Sequence, residues 1–382
     1  MIRIGIATPF RVANYGTKLQ AYAISEYLRI AGGGEAEIIN FSPSDDHRLH
    51  VLLRKTFSIK RNRARLHKLI SKRDVRKTVD GKKQAERIRS INAFDSILPL
   101  GKKISSWAEL EKASVQYDCV VCGSDQIWLP DNLKDHYYTL EFCNGKTKRG
   151  SYAASLGVEV LNEKQKKAYQ RFLKNLDFIS VREDIGRDLL KSFFNEKEIT
   201  WVCDPTFLLT QQQWSKVEKR PTFLNNVPKE YVFCYFLGTN EEHRQIVYDY
   251  AKKNGLSILS VANFKGFCEA DTKLTDVQLY DLTVNEFLYL IHNAEMVCTD
   301  SMHATIFSII FETNFVTFER FKKSDQDSRN SRIYSLLQVM GLENRLHTDG
   351  AIPEEKIEFG KVAKAREAYV DFSKNYIMEE IV

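Results

Sequence analysis

The stretch Glu295 to Phe311 reads E-M-V-C-T-D-S-M-H-A-T-I-F-S-I-I-F, and the fold is decided there. Met296, Val297 and Cys298 have the character of a short buried strand, and Ile306, Phe307, Ile309, Ile310 and Phe311 recur as the inward side of a helix. Between them, Thr299-Asp300-Ser301 supplies side-chain oxygens that accept the free N–H groups of a helix start. His303 then falls on the first helical turn, at the carboxyl end of a strand. In open α/β sheets ligands bind at that edge, and a helix N-terminus favours an anion. A histidine placed there can move a proton while the helix end holds a phosphate or carboxylate. The plainer alternative is a capped helix start with a solvated histidine.

The same strand-then-helix grammar repeats outward. Ile2 to Ala7 reads as a strand, Asn14-Tyr15-Gly16 as a loop, and Leu19, Tyr22, Ala23, Tyr27 and Leu28 as one helix face. Gly32 to Gly34 stops that helix, and Ala36 to Phe41 makes the next strand, so the sheet is parallel at its start. This βαβ unit lacks G-x-G-x-x-G, which argues against a dinucleotide site. Tyr117 to Cys122 is a buried strand running into Gly123-Ser124-Asp125-Gln126-Ile127-Trp128, a second candidate ligand edge that could equally be an ordinary turn. Phe178 to Val181 delivers Arg182 at a strand end, where a guanidinium can fork onto a carboxylate or phosphate. The alternative for Arg182 is an ion pair with Glu183 or Asp204. A second series begins at Tyr231, after a polar passage from Gln211 to Pro228.

A chain of 382 residues exceeds what one core usually organises. We expect an α/β protein of two domains. The first spans about 1–208 and carries a basic helical arm near 52–104; the second spans about 209–350. The tail, with Val362, Ala365, Tyr369, Phe372 and Tyr376 in one stripe, forms a helix in 351–382 that packs back on the first domain. From Arg54 to Arg89 fifteen Lys and Arg face three acids, a surplus of twelve in a chain whose net charge is +6. Apart from Phe57 that arm has no interleaved aromatics, and it has no nucleic-acid motif, so a solvated helical arm comes first and contact with an anionic membrane surface second. The seven cysteines are scattered and odd in number, which is cytosolic usage. No apolar run is long enough to span a bilayer, so a cytoplasmic protein is expected, with association at the inner membrane face as the second option. Cys119 and Cys122 have redox spacing but read as plain strand residues. Asp325 and Asp327 sit in a polar loop as a weak metal pair, and we expect no metal. Arg329 and Arg332, beside the next helix start, could close over an anion.

Taken in order, these landmarks resemble the polysaccharide pyruvyl transferases. The likeness rests on Asn14-Tyr15-Gly16 with the following Leu19 to Tyr22, Gly123 to Trp128, Ser151 to Gly157, Ser180 to Glu183, Asp204-Pro205, Thr299 to His303 and Ser331-Arg332. That family is similar in fold to the two-lobed GT-B glycosyltransferases, which implies an α/β protein with two Rossmann-like domains facing a cleft. Its members transfer the enolpyruvyl carbons of phosphoenolpyruvate to a sugar, forming a pyruvate ketal and releasing phosphate. The resemblance implies phosphoenolpyruvate as co-substrate with no further cofactor, a lipid-linked or nucleotide-linked saccharide as acceptor, and a place in capsule or exopolysaccharide assembly. It implies Arg182 and the His303 segment as the donor site, with Ser301, Ser155, Arg329 and Arg332 beside them. His303 and Asp125 are the acid–base candidates, and Asp204 is a further one. Asn14, Tyr15, Gly16, Ser124, Gln126 and Trp128 are assigned to the acceptor; Tyr15 and Trp128 could stack on a sugar or belong to the core. Some members carry an arginine two residues before the histidine, where this chain has Ser301. A nucleotide-sugar glycosyltransferase and a non-catalytic saccharide- or anion-binding protein are the alternatives.

Overall fold

Short apolar runs alternating with helices generate two separate parallel sheets in the computed structural model. It describes residues 2–32, 34–43, 79–226, 229–263, 268–321 and 330–382. Most of the basic arm, the pair Asp325 and Asp327, and Arg329 lie outside the described residues. The first sheet has the order β2-β1-β3-β4-β5-β6, built from β1 (Arg3–Ala7), β2 (Glu35–Ile38), β3 (Cys119–Cys122), β4 (Lys148–Ala154), β5 (Phe178–Val181) and β6 (Thr200–Trp201). The second has the order β12-β11-β10-β7-β8-β9, built from β7 (Tyr231–Tyr235), β8 (Ser257–Val261), β9 (Val277–Leu279), β10 (Met296–Thr299), β11 (Phe315–Phe318) and β12 (Leu346–His347). Every strand pairing within the two sheets is parallel. Continuous apolar strands such as Cys119-Val120-Val121-Cys122 suit this, because helices cover both faces of a parallel sheet.

The helices that position the cleft are α1 (Tyr15–Gly32), α2 (Val79–Asn92), α3 (Glu163–Leu173), α4 (Glu241–Asn254), α5 (Val284–His292), α6 (Met302–Phe311), α7 (Ser331–Met340) and α8 (Phe359–Glu380). Helix α6 is buried along its whole length rather than on one side, as expected of a helix whose sequence is apolar all round. His303 is accordingly buried, not solvated.

The lobes share one core. Tyr15 of α1 stacks on Phe287 of α5 with ring centroids 4.3 Å apart, and its hydroxyl donates to the Leu282 carbonyl at 2.9 Å. The passage after β6 is more than a polar connection. Its Gln211–Ser215 turn carries Trp214, fully buried, which packs edge-on to Phe307 of α6 at 4.9 Å and near Tyr22 of α1 at 5.6 Å.

Helix α8 returns to the first lobe: Ser373 Oγ accepts the Cys203 N–H at 2.9 Å and Tyr369 donates to the Val202 carbonyl at 3.0 Å. Its inward side differs slightly from the expected stripe, since Val370 and Ile377 are buried and Phe372 is exposed. Among the described residues no helix is long and apolar enough to cross a membrane.

Trp214→Ala should cost about 3–5 kcal/mol, the range for emptying a buried aromatic site. Urea denaturation followed by far-ultraviolet circular dichroism measures it.

Candidate functional site

The carboxyl edges of the two sheets meet, and the meeting point is a cluster of charges. Arg182 leaves the end of β5 and is buried, with 3% of its surface exposed. A buried guanidinium needs compensation, because desolvating a cation is expensive. Its Nη1 donates to Asp204 Oδ2 at 2.7 Å and its Nε to Glu183 Oε1 at 3.1 Å. Nη1 also lies 3.4 Å from Ser124 Oγ, and Asp125 Oδ1 stands 3.9 Å from Nη2. The ion pair that was the alternative for Arg182 is therefore present, with both named partners. Nη2 alone has no hydrogen-bond partner.

The second lobe contributes His303. Ser301 caps α6, its Oγ accepting the Ala304 N–H at 3.5 Å, which sets His303 in the first turn. The imidazole Nε2 points at Asp204 Oδ2 at 3.6 Å, slightly beyond hydrogen-bonding range, and has no hydrogen-bond partner. Burial would raise the Asp204 carboxyl. The charge of His303, then that of Arg182 and the Thr206 hydrogen bonds, outweigh it and hold the group well below the usual carboxylate range. Asp125 shows the same balance: burial raises it, but Arg182 and His303 prevail and its pKa is lowered.

The first turn of α1 fixes the Asp125 loop. Thr17 donates to Asp125 Oδ2 at 2.9 Å, and Gln20 Oε1 accepts the Ser124 N–H at 3.0 Å. Asn14 Oδ1 accepts the Thr17 N–H at 3.2 Å and so closes the turn. Gly16 lies flat against the histidine: a Cβ there would sit 2.2 Å from His303 Nδ1. One imidazole thus has a glycine of the first lobe on one nitrogen and a carboxylate of the first lobe opposite the other.

Arg332, in the first turn of α7, lines a small pocket together with Arg182, Asp204 and Met302. Burial, and next the nearby Arg182, push its pKa down to about 10.

The sequence matches the polysaccharide pyruvyl transferase family over residues 14–320. The chain belongs to that family. Every landmark quoted above lies in the matched span except Ser331-Arg332, which follows it. No curated protein matches the sequence. Among solved structures, the chain is similar to the UDP-GlcNAc 2-epimerase from Methanocaldococcus jannaschii, at 14% identity over 97% of this chain and 92% of that one, with a TM-score of 0.51. The putative UDP-N-acetylglucosamine 2-epimerase from Listeria monocytogenes gives 11%, 99%, 95% and 0.56. A glycosyltransferase from Rickettsia africae gives 11%, 99%, 97% and 0.50. At these identities the likeness establishes the fold, which is the GT-B type with two facing Rossmann-like domains.

In this pyruvyl transferase family member, the structure brings together His303, Asp125, Arg182, Ser301, Gly16, Ser124 and Arg332. Ser155 is buried beside them: its N–H donates to the Asp125 carbonyl at 3.0 Å and its hydroxyl has no hydrogen-bond partner. Gln126 follows Asp125 and is half-buried. The two aromatic acceptor candidates are corrected. Tyr15 is stacked between the lobes, and Trp128 is wholly buried against Phe172 with its Nε1 donating to the Tyr138 carbonyl at 3.1 Å, so neither ring offers a face to a sugar. Ser124 is likewise corrected to a support, since its hydroxyl donates to the Ala153 carbonyl at 2.9 Å and is fully buried. Sequence reading passed over Thr17 and gave Gln20 no role. The signal available was their spacing on the helix face that follows Asn14-Tyr15-Gly16.

Gly16→Ala should displace the imidazole and cost about 1–3 kcal/mol through overpacking; a crystal structure would show His303 moved away from Asp204. Asp204→Asn should destabilise by about 3 kcal/mol at pH 7, the low end for a broken buried pair because Glu183 and Asp125 remain beside Arg182. Because the folded-state pKa of Asp204 is depressed, its contribution is full above the unfolded value of about 3.9 and is lost only as pH falls further. Urea titrations at pH 7 and pH 3 should therefore show the gap between wild type and Asp204→Asn narrowing in acid.

Proposed function

We propose that this protein transfers the enolpyruvyl carbons of phosphoenolpyruvate to a pair of sugar hydroxyls, giving a cyclic pyruvate ketal and phosphate. The observation that carries the reading is a buried imidazole nitrogen, His303 Nε2, and a buried guanidinium nitrogen, Arg182 Nη2, both without hydrogen-bond partners, meeting where the two lobes touch. Phosphoenolpyruvate carries a phosphate and a carboxylate, so it needs at least two cationic or N–H-rich clamps. Arg182 Nη2, Arg332 and the first-turn N–H groups of α6 supply them from both lobes.

The chemistry balances as two additions at C2 and one departure. A proton goes to the methylene carbon, which becomes the methyl group, and the oxygen of one sugar hydroxyl bonds to C2. The C2–O bond to phosphate then breaks, the leaving phosphate taking the electron pair. The second hydroxyl bonds to C2 and closes the ring. Of the two hydroxyl protons, one balances the proton gained by carbon and the other leaves with phosphate. His303 performs one of these transfers, as acid toward the methylene or as base toward a hydroxyl. Asp125 and Asp204, both held ionised below the ordinary range, are weak bases, so they support the imidazolium rather than take the proton. The acceptor is a lipid-linked or nucleotide-linked saccharide of a capsule or exopolysaccharide pathway. The basic arm suits an enzyme working at the inner face of a membrane.

His303→Ala should lower turnover by at least about 100-fold, the lower bound for losing a positioned acid–base group, in protein that circular dichroism shows to be folded at the assay temperature. Phosphate release and the mass of the product, gaining one pyruvate less water, are the readouts with phosphoenolpyruvate and a panel of saccharide acceptors. Full turnover in His303→Ala would remove the histidine from the chemistry. Thermal protection by a nucleoside diphosphate, with no phosphate released from phosphoenolpyruvate, would favour a nucleotide-sugar donor instead.

A further inference from the structure

The proposed reaction needs His303 of one lobe held in register with Gly16, Asp125 and Asp204 of the other. The shared core around Tyr15 and Trp214 ties the lobes together, and a second tie lies outside it. Helix α2 crosses between the lobes. Its carboxyl end is fixed to the first lobe: Ile91 and Phe94 are buried, and Phe94 meets Tyr22 with ring centroids 5.8 Å apart. In the turn that follows, Asp95 pairs with the fully buried Lys18 ammonium, which also donates to the Phe10 carbonyl at 2.6 Å.

The middle of the same helix is fixed to the second lobe. Arg87 is 4% exposed; its Nε donates to the Tyr280 carbonyl at 3.0 Å and its Nη1 to the Asn263 carbonyl at 3.1 Å. Lys83, one turn earlier, places its ammonium 4.1 Å from the centre of the Tyr280 ring. Tyr280 and Asn263 follow β9 and β8, on the carboxyl edge of the second sheet where ligands are expected. One rigid guanidinium from the first half of the chain thus bridges two loops of the second. Its planar fork suits two carbonyls at once, which a lysine cannot reproduce.

We infer that α2 is a strap across the cleft and that Arg87 is its clasp, a positioning residue that sets the inter-lobe register in which His303 meets Asp125 and Asp204. The kinetic arm of this inference rests on the pyruvyl-transfer reading; the geometric arm does not.

The seven native thiols are all buried, so Lys167→Cys on α3 and Gln245→Cys on α4, both exposed, can carry spin labels in the otherwise native full-length chain. Pulsed electron resonance then reports the inter-lobe distance distribution. Adding Arg87→Ala should widen it, with Arg87→Lys intermediate. In unlabelled enzyme, Arg87→Ala should lower kcat about tenfold or more with little change in KM for phosphoenolpyruvate, as expected when a reacting group is misplaced while the substrate stays bound. An unchanged distribution in Arg87→Ala would overturn the inference, and so would a widened one with unchanged kcat. Widening in a protein whose wild type releases no phosphate from phosphoenolpyruvate would support the clasp and sink the pyruvyl-transfer reading alone.

Discussion

The contact on which the rest depends is the ion pair between Arg182 and Asp204, buried at the place where the two lobes come together. Neither charge could be left there alone, since an unpaired buried ion costs several kcal/mol. Pairing them creates a fixed point to which other groups are referred. Glu183 takes a second face of the guanidinium, Thr206 braces the Asp204 carboxylate, and His303 approaches that carboxylate from the opposite lobe. Arg182 is thus set among three carboxylates, Asp125, Glu183 and Asp204, with His303 and Arg332 beside them.

Around this point, the proposed site and the folding core draw on the same helices. Helix α1 buries Tyr15 and Leu19 in the shared core, while its first turn commits Thr17 and Gln20 to the loop that carries Asp125. Helix α6 is packed on all sides, so its start is held as firmly as any core element. Rigid support of this kind is what the proposed acid–base role of His303 requires. It also explains why glycine stands at position 16, where any Cβ would occupy the space of the imidazole.

Much of this was readable from the residues. Strand-to-loop junctions such as Val181-Arg182 and Thr299 to Ser301 announced themselves, because an apolar run followed by a polar cap fits little besides a strand that feeds a helix. The GT-B arrangement and the returning α8 were also legible. What failed has a common physical cause. Tyr15 and Trp128 sit in polar, glycine-bearing stretches that suggest exposure, yet partners distant in sequence, Phe287 for one and Tyr138 and Phe172 for the other, enclose them. Trp214 was hidden in the same way by a polar passage. The pairing of Arg182 was open in the sequence, because a guanidinium at a strand end serves a ligand and an internal carboxylate equally well. The bonds of Arg87 span 193 and 176 residues, and no local pattern foretells a contact of that range.

The returning helix has a consequence for biosynthesis. The 22 residues of α8 are made after every strand of both sheets, yet they complete the first lobe. Until α8 has left the ribosome, Val202 and Cys203 lack their partners on Tyr369 and Ser373, and Trp201 lacks the ring of Tyr369. The first lobe therefore waits, incomplete, while the second is being made, and it offers chaperones a target in that interval.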